Sequence, residues 1–218
     1  MNAENIMNLI KILGNGLGTS ILIFIITLVI AIPFGILIAL AKNSKVKLIS
    51  KITSIYVLII RGTPIMLQII FVYFAPYYLF KISYNRFTAL IIAFVINYAA
   101  YFGEIFRSGF HSIPQGQKEA AYTLGMNKTQ TFIKIVLPQV IKRILPSLSN
   151  EVISLIKTTS LAQVIGITEM FSLAQKQSSA QFSIVPLCVA AGFYLVLCGI
   201  ITFVFHRAEK KMSYYTIV

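Results

Sequence analysis

Apolar residues in this chain fall into long blocks separated by short basic segments. From Ile12 to Ala41 no residue is charged. A helix crosses the bilayer core with about 20 apolar residues. At about −0.3 to −0.6 kcal/mol per Leu, Ile, Val or Phe, such a block inserts readily. It predicts a first span over about Leu17–Ala41. Pro33 and Gly35 are tolerable inside it, because both residue types are commoner in membrane helices. The second block is interrupted: Ile52–Ile60, then Arg61-Gly62-Thr63-Pro64, then Ile65–Phe80. A break at membrane depth is stable only where its backbone is buried in protein or lines a cavity. Further blocks predict a third span over about Phe87–Phe106, a fourth over Phe132–Val164 with Pro138 and Pro146 inside it, and a fifth over Phe182–Phe205. The expected fold is an all-α integral membrane protein of about five transmembrane helices, one domain over residues 1–218.

Composition agrees. Charged residues make up 11% of the chain, against about 25% in soluble domains, and the mean hydropathy is +0.83. The net charge is +13, and all the acidic residues are Glu. Nucleic acid is not the expected partner, because the basic residues sit between spans and do not line one helix face. They orient the chain instead. Lys42, Lys45, Lys47 and Lys51 follow span one, Arg107 to Lys134 follow span three, and Arg207, Lys210 and Lys211 follow span five. Cytoplasmic loops are enriched in Lys and Arg, so the N-terminus is expected outside and the C-terminus in the cytoplasm of a multi-pass cell-membrane protein. Ala39-Leu40-Ala41 resembles a signal cleavage site. The block before it is longer than a signal peptide's apolar region and has no basic segment ahead of it, so it is read as a retained span. Cys188 and Cys198 lie in an apolar run without metal-ligand spacing and are expected to be small hydrophobes.

Between spans three and four, residues 112–138 read SIPQGQKEAAYTLGMNKTQTFIKIVLP. Ser112 and Gln115 have capping-box spacing, Pro114 suits a first helical turn, and Gly125 suits a left-handed stop. A short cytoplasmic helix is expected there, with a second start near Asn127. Ala120 and Ala121 are small enough to admit another surface. Physics alone favours an ordinary interfacial helix lying on the membrane.

Glu119-Ala120-Ala121-x-x-x-Gly125, followed by Leu137-Pro138, resembles the coupling loop of ABC importer permeases. Arg61-Gly62-Thr63-Pro64, Glu104-Ile105-Phe106-Arg107, Asn150-Glu151 and Lys157-Thr158-Thr159-Ser160-Leu161 are similar to segments of the polar amino-acid branch, the histidine, glutamine and cystine importers. The similarities run in order along nearly the whole chain. The resemblance implies a type I importer permease that forms the translocation pathway by alternating access. It implies as partners cytoplasmic ATPase subunits, an extracellular or periplasmic substrate-binding protein, and a second permease chain, identical or not, all within membrane lipid. Gln117, Glu119, Ala120, Ala121 and Gly125 would couple to the ATPase.

No enzyme activity of its own is expected. Gly14-Asn15-Gly16-Leu17-Gly18-Thr19-Ser20 has no Lys, which a phosphate-binding loop requires. His111 and His206 stand apart, so neither metal nor cofactor is expected. A stand-alone secondary transporter would have no need of the Glu-Ala-Ala loop, and no inverted halves are visible.

An amino acid needs donors and acceptors at membrane depth. Arg61, Thr63, Gln68, Asn97, Tyr98, Tyr101, Glu104, Glu151, Ser154, Lys157, Thr158, Ser160 and Gln163 offer them. Asn97 is costly in a span unless a partner or substrate satisfies it. The resemblance implies that spans three and four line the pocket, giving Asn97, Thr158, Tyr98, Tyr101, Gln163 and Thr63 as substrate-binding candidates. Arg61, Glu104 and Glu151 are read as gating or structural, and Glu104 with Arg107 as an i,i+3 pair. Many relatives carry Asp where this chain has Thr158. Thr cannot pair with a cationic side chain, so neutral polar amino acids or cystine are the expected substrates.

Overall fold

A computed structural model describes residues 3–212, and among them every regular element is helical. In chain order these are α1 (Ala3–Lys42), α2 (Lys47–Gly62), α3 (Ile65–Phe80), α4 (Arg86–His111), α5 (Gln115–Thr123) and α6 (Lys128–Thr131). A π-helical turn (Phe132–Val136) leads into α7 (Leu137–Thr158), and a 3-10 turn (Thr159–Ile165) precedes α8 (Met170–Gln181) and α9 (Val185–Met212). Among the described residues α1, α4 and α9 are each long and apolar enough to cross a membrane, and α2 with α3 passes the same test as a pair.

The second block is not one straight span. Its halves meet at 109°. Pro64 has no N–H to donate and pushes its predecessor out of the helical region; Thr63 accordingly sits at φ −119°, ψ 146°. The carbonyls freed at the end of α2 need donors. Thr63 Oγ1 donates to Ile59 O at 2.8 Å, and Gln68 Nε2 donates to Ile60 O at 2.9 Å and Thr63 O at 3.2 Å. One glutamine side chain thus closes the break.

Helix α4 is the centre of the bundle. Ala93, Phe94 and Phe102 are fully buried on it, while α9 leaves Leu195, Val196 and Phe203 exposed, as a lipid-facing helix does. Helices α1 and α4 cross at Gly35 and Gly103. A methyl on Gly35 would lie 2.7 Å from Phe102 Cβ, and one on Gly103 would lie 2.6 Å from Ile38 Cγ2. Small residues permit this approach in membranes.

The expected fourth span divides into the π-helical turn, α7 and the 3-10 turn. Helix α7 buries Val140, Ile144, Val152, Leu155 and Ile156 along one face and keeps polar residues on another. Helix α8 was not expected. Its start is fixed by Glu169, fully buried, whose carboxylate accepts from Phe171 N at 2.8 Å and Ser172 N at 2.7 Å. Ser20 of α1 and Tyr194 of α9 donate to the same carboxylate at 3.3 and 3.4 Å. Three helices are tied at one point.

Candidate functional site

The α2–α3 break faces α4 and α7 across a cavity of about 250 Å³. Its wall is Thr63, Pro64 and Ile65 from the break, Asn97, Tyr98 and Tyr101 from α4, and Glu151, Ser154 and Thr158 from α7. Among the described residues Glu151 is the only charged one on this wall. Five of the six expected substrate-binding residues therefore come together. Gln163 does not join them. It lies within the 3-10 turn and lines a different cavity with Gly166, Thr168, Ser172 and Lys176.

Asn97 is buried, and Asn97 Nδ2 donates to Gln68 Oε1 at 2.9 Å. The cost of an asparagine at this depth is thus met by the residue that closes the break. Thr158 Oγ1 donates to Ser154 O at 2.8 Å, one turn back on its own helix.

Beside this pocket lies a second, larger cavity of about 420 Å³. Arg61, Glu104 and Glu151, the three expected gating or structural residues, all line it, with Ser108, Arg143 and Ser147. Tyr101 and Glu151 line both cavities. The Arg61 guanidinium stands 5.2 Å from the centre of the Tyr101 ring, within cation–π range. Tyr101, Arg61 and Glu151 therefore mark the boundary between the two spaces. Glu104 pairs with Arg107, as expected, with Arg107 Nε donating to Glu104 Oε1 at 2.9 Å. It also pairs with Lys42 of α1, with Nζ at 2.7 Å from Oε2. That partner is 62 residues away in the sequence.

The Glu-Ala-Ala segment forms α5. Its expected capping box is absent: Pro114 occupies the N-cap position, and Ser112 Oγ turns back to Gly109 O at 2.7 Å. Pro114 at that position has displaced Ser112 into the end of α4. The C-terminal signal holds. Gly125 has φ +77°; Gly125 N donates to Tyr122 O at 2.9 Å and Met126 N to Ala121 O at 3.1 Å, the paired bonds of a Schellman stop. Asn127 then caps α6 in a reciprocal capping box with Gln130. The two alanines part company. Ala121 is buried against the protein's own body, while Glu119 and Ala120 are exposed and Gln117 lies between. Only Ala120 of the pair is open to another surface.

Residues 31–214 match the family described as binding-protein-dependent transport system inner membrane component. The chain belongs to that family. As a permease of this kind it is a transporter subunit and not itself an enzyme. It is 36% identical over 206 residues to the L-cystine transport system permease protein of Bacillus subtilis (strain 168), covering 94% of this chain and 88% of that one. With the arginine transport system permease protein of the same organism it shares 34% identity over 91% of each chain. A crystal structure of an amino acid ABC transporter with histidines superposes with TM-score 0.87 at 30% identity, over 97% of this permease and 99% of that chain. The resemblance read from the segments between Arg61 and Leu161 is therefore a family membership.

Proposed function

We propose that this permease carries a free amino acid across the cell membrane by alternating access, driven by a separate cytoplasmic ATPase. The carrying observation is the pocket at the α2–α3 break. It combines irregular backbone, which is tolerated at membrane depth only beside a cavity or protein, with hydroxyl and amide groups and a single carboxylate. A zwitterion needs such acceptors and donors. Asn97, Thr158, Tyr98, Tyr101 and Thr63 contact the substrate in this reading. Gln163 is left to a path outside the pocket, and Arg61, Glu104 and Glu151 gate or brace the exit. Thr158 supports a neutral polar amino acid or cystine, since it offers no charge to a cationic side chain and the pocket's one carboxylate, Glu151, is assigned to gating or bracing. The curated relatives transport cystine in one case and arginine in another, so the substrate rests on the pocket.

The ATPase would dock on α5 through Gln117, Glu119 and Ala120, with Ala121 and Gly125 fixing the helix. An extracellular binding protein would deliver the amino acid, and a second permease chain would complete the path. Five spans with the N-terminus outside follow from the Lys and Arg distribution, with α2–α3 as the broken span. The test is co-purification with a cytoplasmic ATPase, then ATP hydrolysis in liposomes with the binding protein present. Hydrolysis stimulated by glutamine or cystine is the expected result. Absence of any bound ATPase, with uptake driven by an ion gradient, would overturn it.

A further inference from the structure

On α7 the polar residues Gln139, Arg143, Ser147, Glu151, Ser154 and Thr158 recur every three or four positions, so they form one slowly drifting stripe. The stripe spans about 28 Å at 1.5 Å per residue. Its far end, Ser154 and Thr158, lines the candidate amino-acid pocket, and its middle, Ser147 and Glu151, lines the cavity beside it. Its near end touches the segment that carries α5. Arg143 donates through Nη1 to Ser112 O, the carbonyl at the α4–α5 junction. Gln139 Nε2 donates to Gln117 Oε1 of α5 at 3.4 Å and to Ile135 O of the π-helical turn at 2.9 Å.

The surrounding packing makes this contact stiff on one side and adjustable on the other. A methyl on Gly109 would come within 2.3 Å of Ile144 Cγ2, so α4 and α7 are in close contact where Arg143 reaches across. The Phe110 and Phe132 rings stack with centres 6.1 Å apart. Toward α5 the constraint is looser. The π-helical turn interrupts the regular ladder immediately before Gln139, and such turns occur frequently at functional sites. Gln139 Oε1 is buried with no hydrogen-bond partner. An acceptor left unmatched in one arrangement is available to a donor in a second one.

We propose that Gln139 and Arg143 are positioning residues that pass displacement of α5 to α7, and so to the pocket wall 8 to 19 residues further along the same helix. Arg143 holds the α4–α5 junction to α7, and Gln139 exchanges partners as α5 shifts. Neither residue belongs to the Glu-Ala-Ala segment. The inference rests on α5 being the ATPase contact.

The experiment uses the whole importer in proteoliposomes, with the ATPase that co-purifies with the wild-type permease. ATP hydrolysis and uptake of glutamine and cystine are measured on the same vesicles. Arg143→Ala and Gln139→Met are expected to keep the ATPase bound and hydrolysing, while uptake per ATP falls about tenfold, within the usual range of coupling between sites. Arg143→Lys keeps a donor to Ser112 O and is expected to recover most of the ratio. An unchanged ratio in Arg143→Ala, or a proportional fall of hydrolysis and uptake in both variants, would overturn the proposal. If Arg143→Ala does not assemble, Gln139→Met reads the same ratio and decides alone. A wild-type chain that binds no ATPase would instead refute the coupling role of α5, a separate outcome visible before any variant is made.

Discussion

The two ends of α7 meet their neighbours in different ways. At the pocket end the hydrogen bonds join neutral groups. Thr158 bonds to its own helix, Asn97 bonds to Gln68, and Gln68 closes the broken backbone. At the α5 end the donors are charged: Arg143 to Ser112, and nearby Lys42 and Arg107 to Glu104. A wall whose amide and hydroxyl groups are satisfied internally, with Glu151 its one carboxylate, suits a surface that receives a guest and releases it. A charged clasp between helices suits a place where motion enters. Buried groups at either end are costly to leave half-made, so the ranking of mutational effects follows from how directly each residue would meet the substrate or the ATPase.

Asn97→Leu would have the largest effect. It removes a pocket donor and strands Gln68 Oε1, a loss of about 1–3 kcal/mol for an unsatisfied buried group. Uptake is expected to disappear while the ATPase still co-purifies; normal uptake would take Asn97 out of the pocket. Glu119→Lys comes next, since it reverses a charge on the open face of α5. ATPase binding in pull-down should drop by about tenfold, the effect of about 1.4 kcal/mol, with the permease still folded. Unchanged pull-down and uptake would leave α5 an ordinary interfacial helix. Gly125→Val should weaken the same contact less, through the about 1–2 kcal/mol that a side chain costs in the left-handed region. Circular dichroism would stay constant while ATPase stimulation falls. Thr158→Asp tests the other end. A competition panel should shift toward arginine and lysine, and a panel already dominated by arginine in the wild type would contradict the neutral-substrate reading. Glu104→Gln should touch uptake least, because Glu104 lines the second cavity and not the pocket. Its side chain is only 18% exposed and that of Lys42 22%, so a melting curve should show a stability loss of about 1–3 kcal/mol for the partners left unmatched.

Much of this contrast could be read before the fold was known. The positions of α1, α4 and α9 followed from apolar blocks, and α5 was bounded by Pro114 and Gly125. The break at Arg61–Pro64 was visible because proline and glycine interrupt an apolar run. Its 109° angle was not, since two half-spans of one composition suit a kink as well as a turn. Gln68 and Asn97 were both visible as polar residues at depth, but their pairing joins positions 29 apart. The orientation of Ala121 toward the body was hidden for the same reason, because a nine-residue helix does not declare which side is packed. Ser112 failed as a cap because Pro114 took that position. Helix α8 escaped notice because it is neither apolar nor strongly periodic, and its anchor, Glu169, gained meaning only from Ser20 and Tyr194. The spacing of Glu169 and Ser172, three apart at a helix start, was the available signal.

The central claim is that force enters at α5 and a neutral amino acid moves at the α2–α3 break. The most direct measurement is uptake of labelled glutamine and cystine into proteoliposomes holding the permease, its ATPase and its binding protein, with ATP or an ion gradient as the only energy source. Uptake with ATP alone, lost in both Glu119→Lys and Asn97→Leu, is the predicted result. Uptake on the ion gradient without ATPase, unaffected by Glu119→Lys, would contradict it.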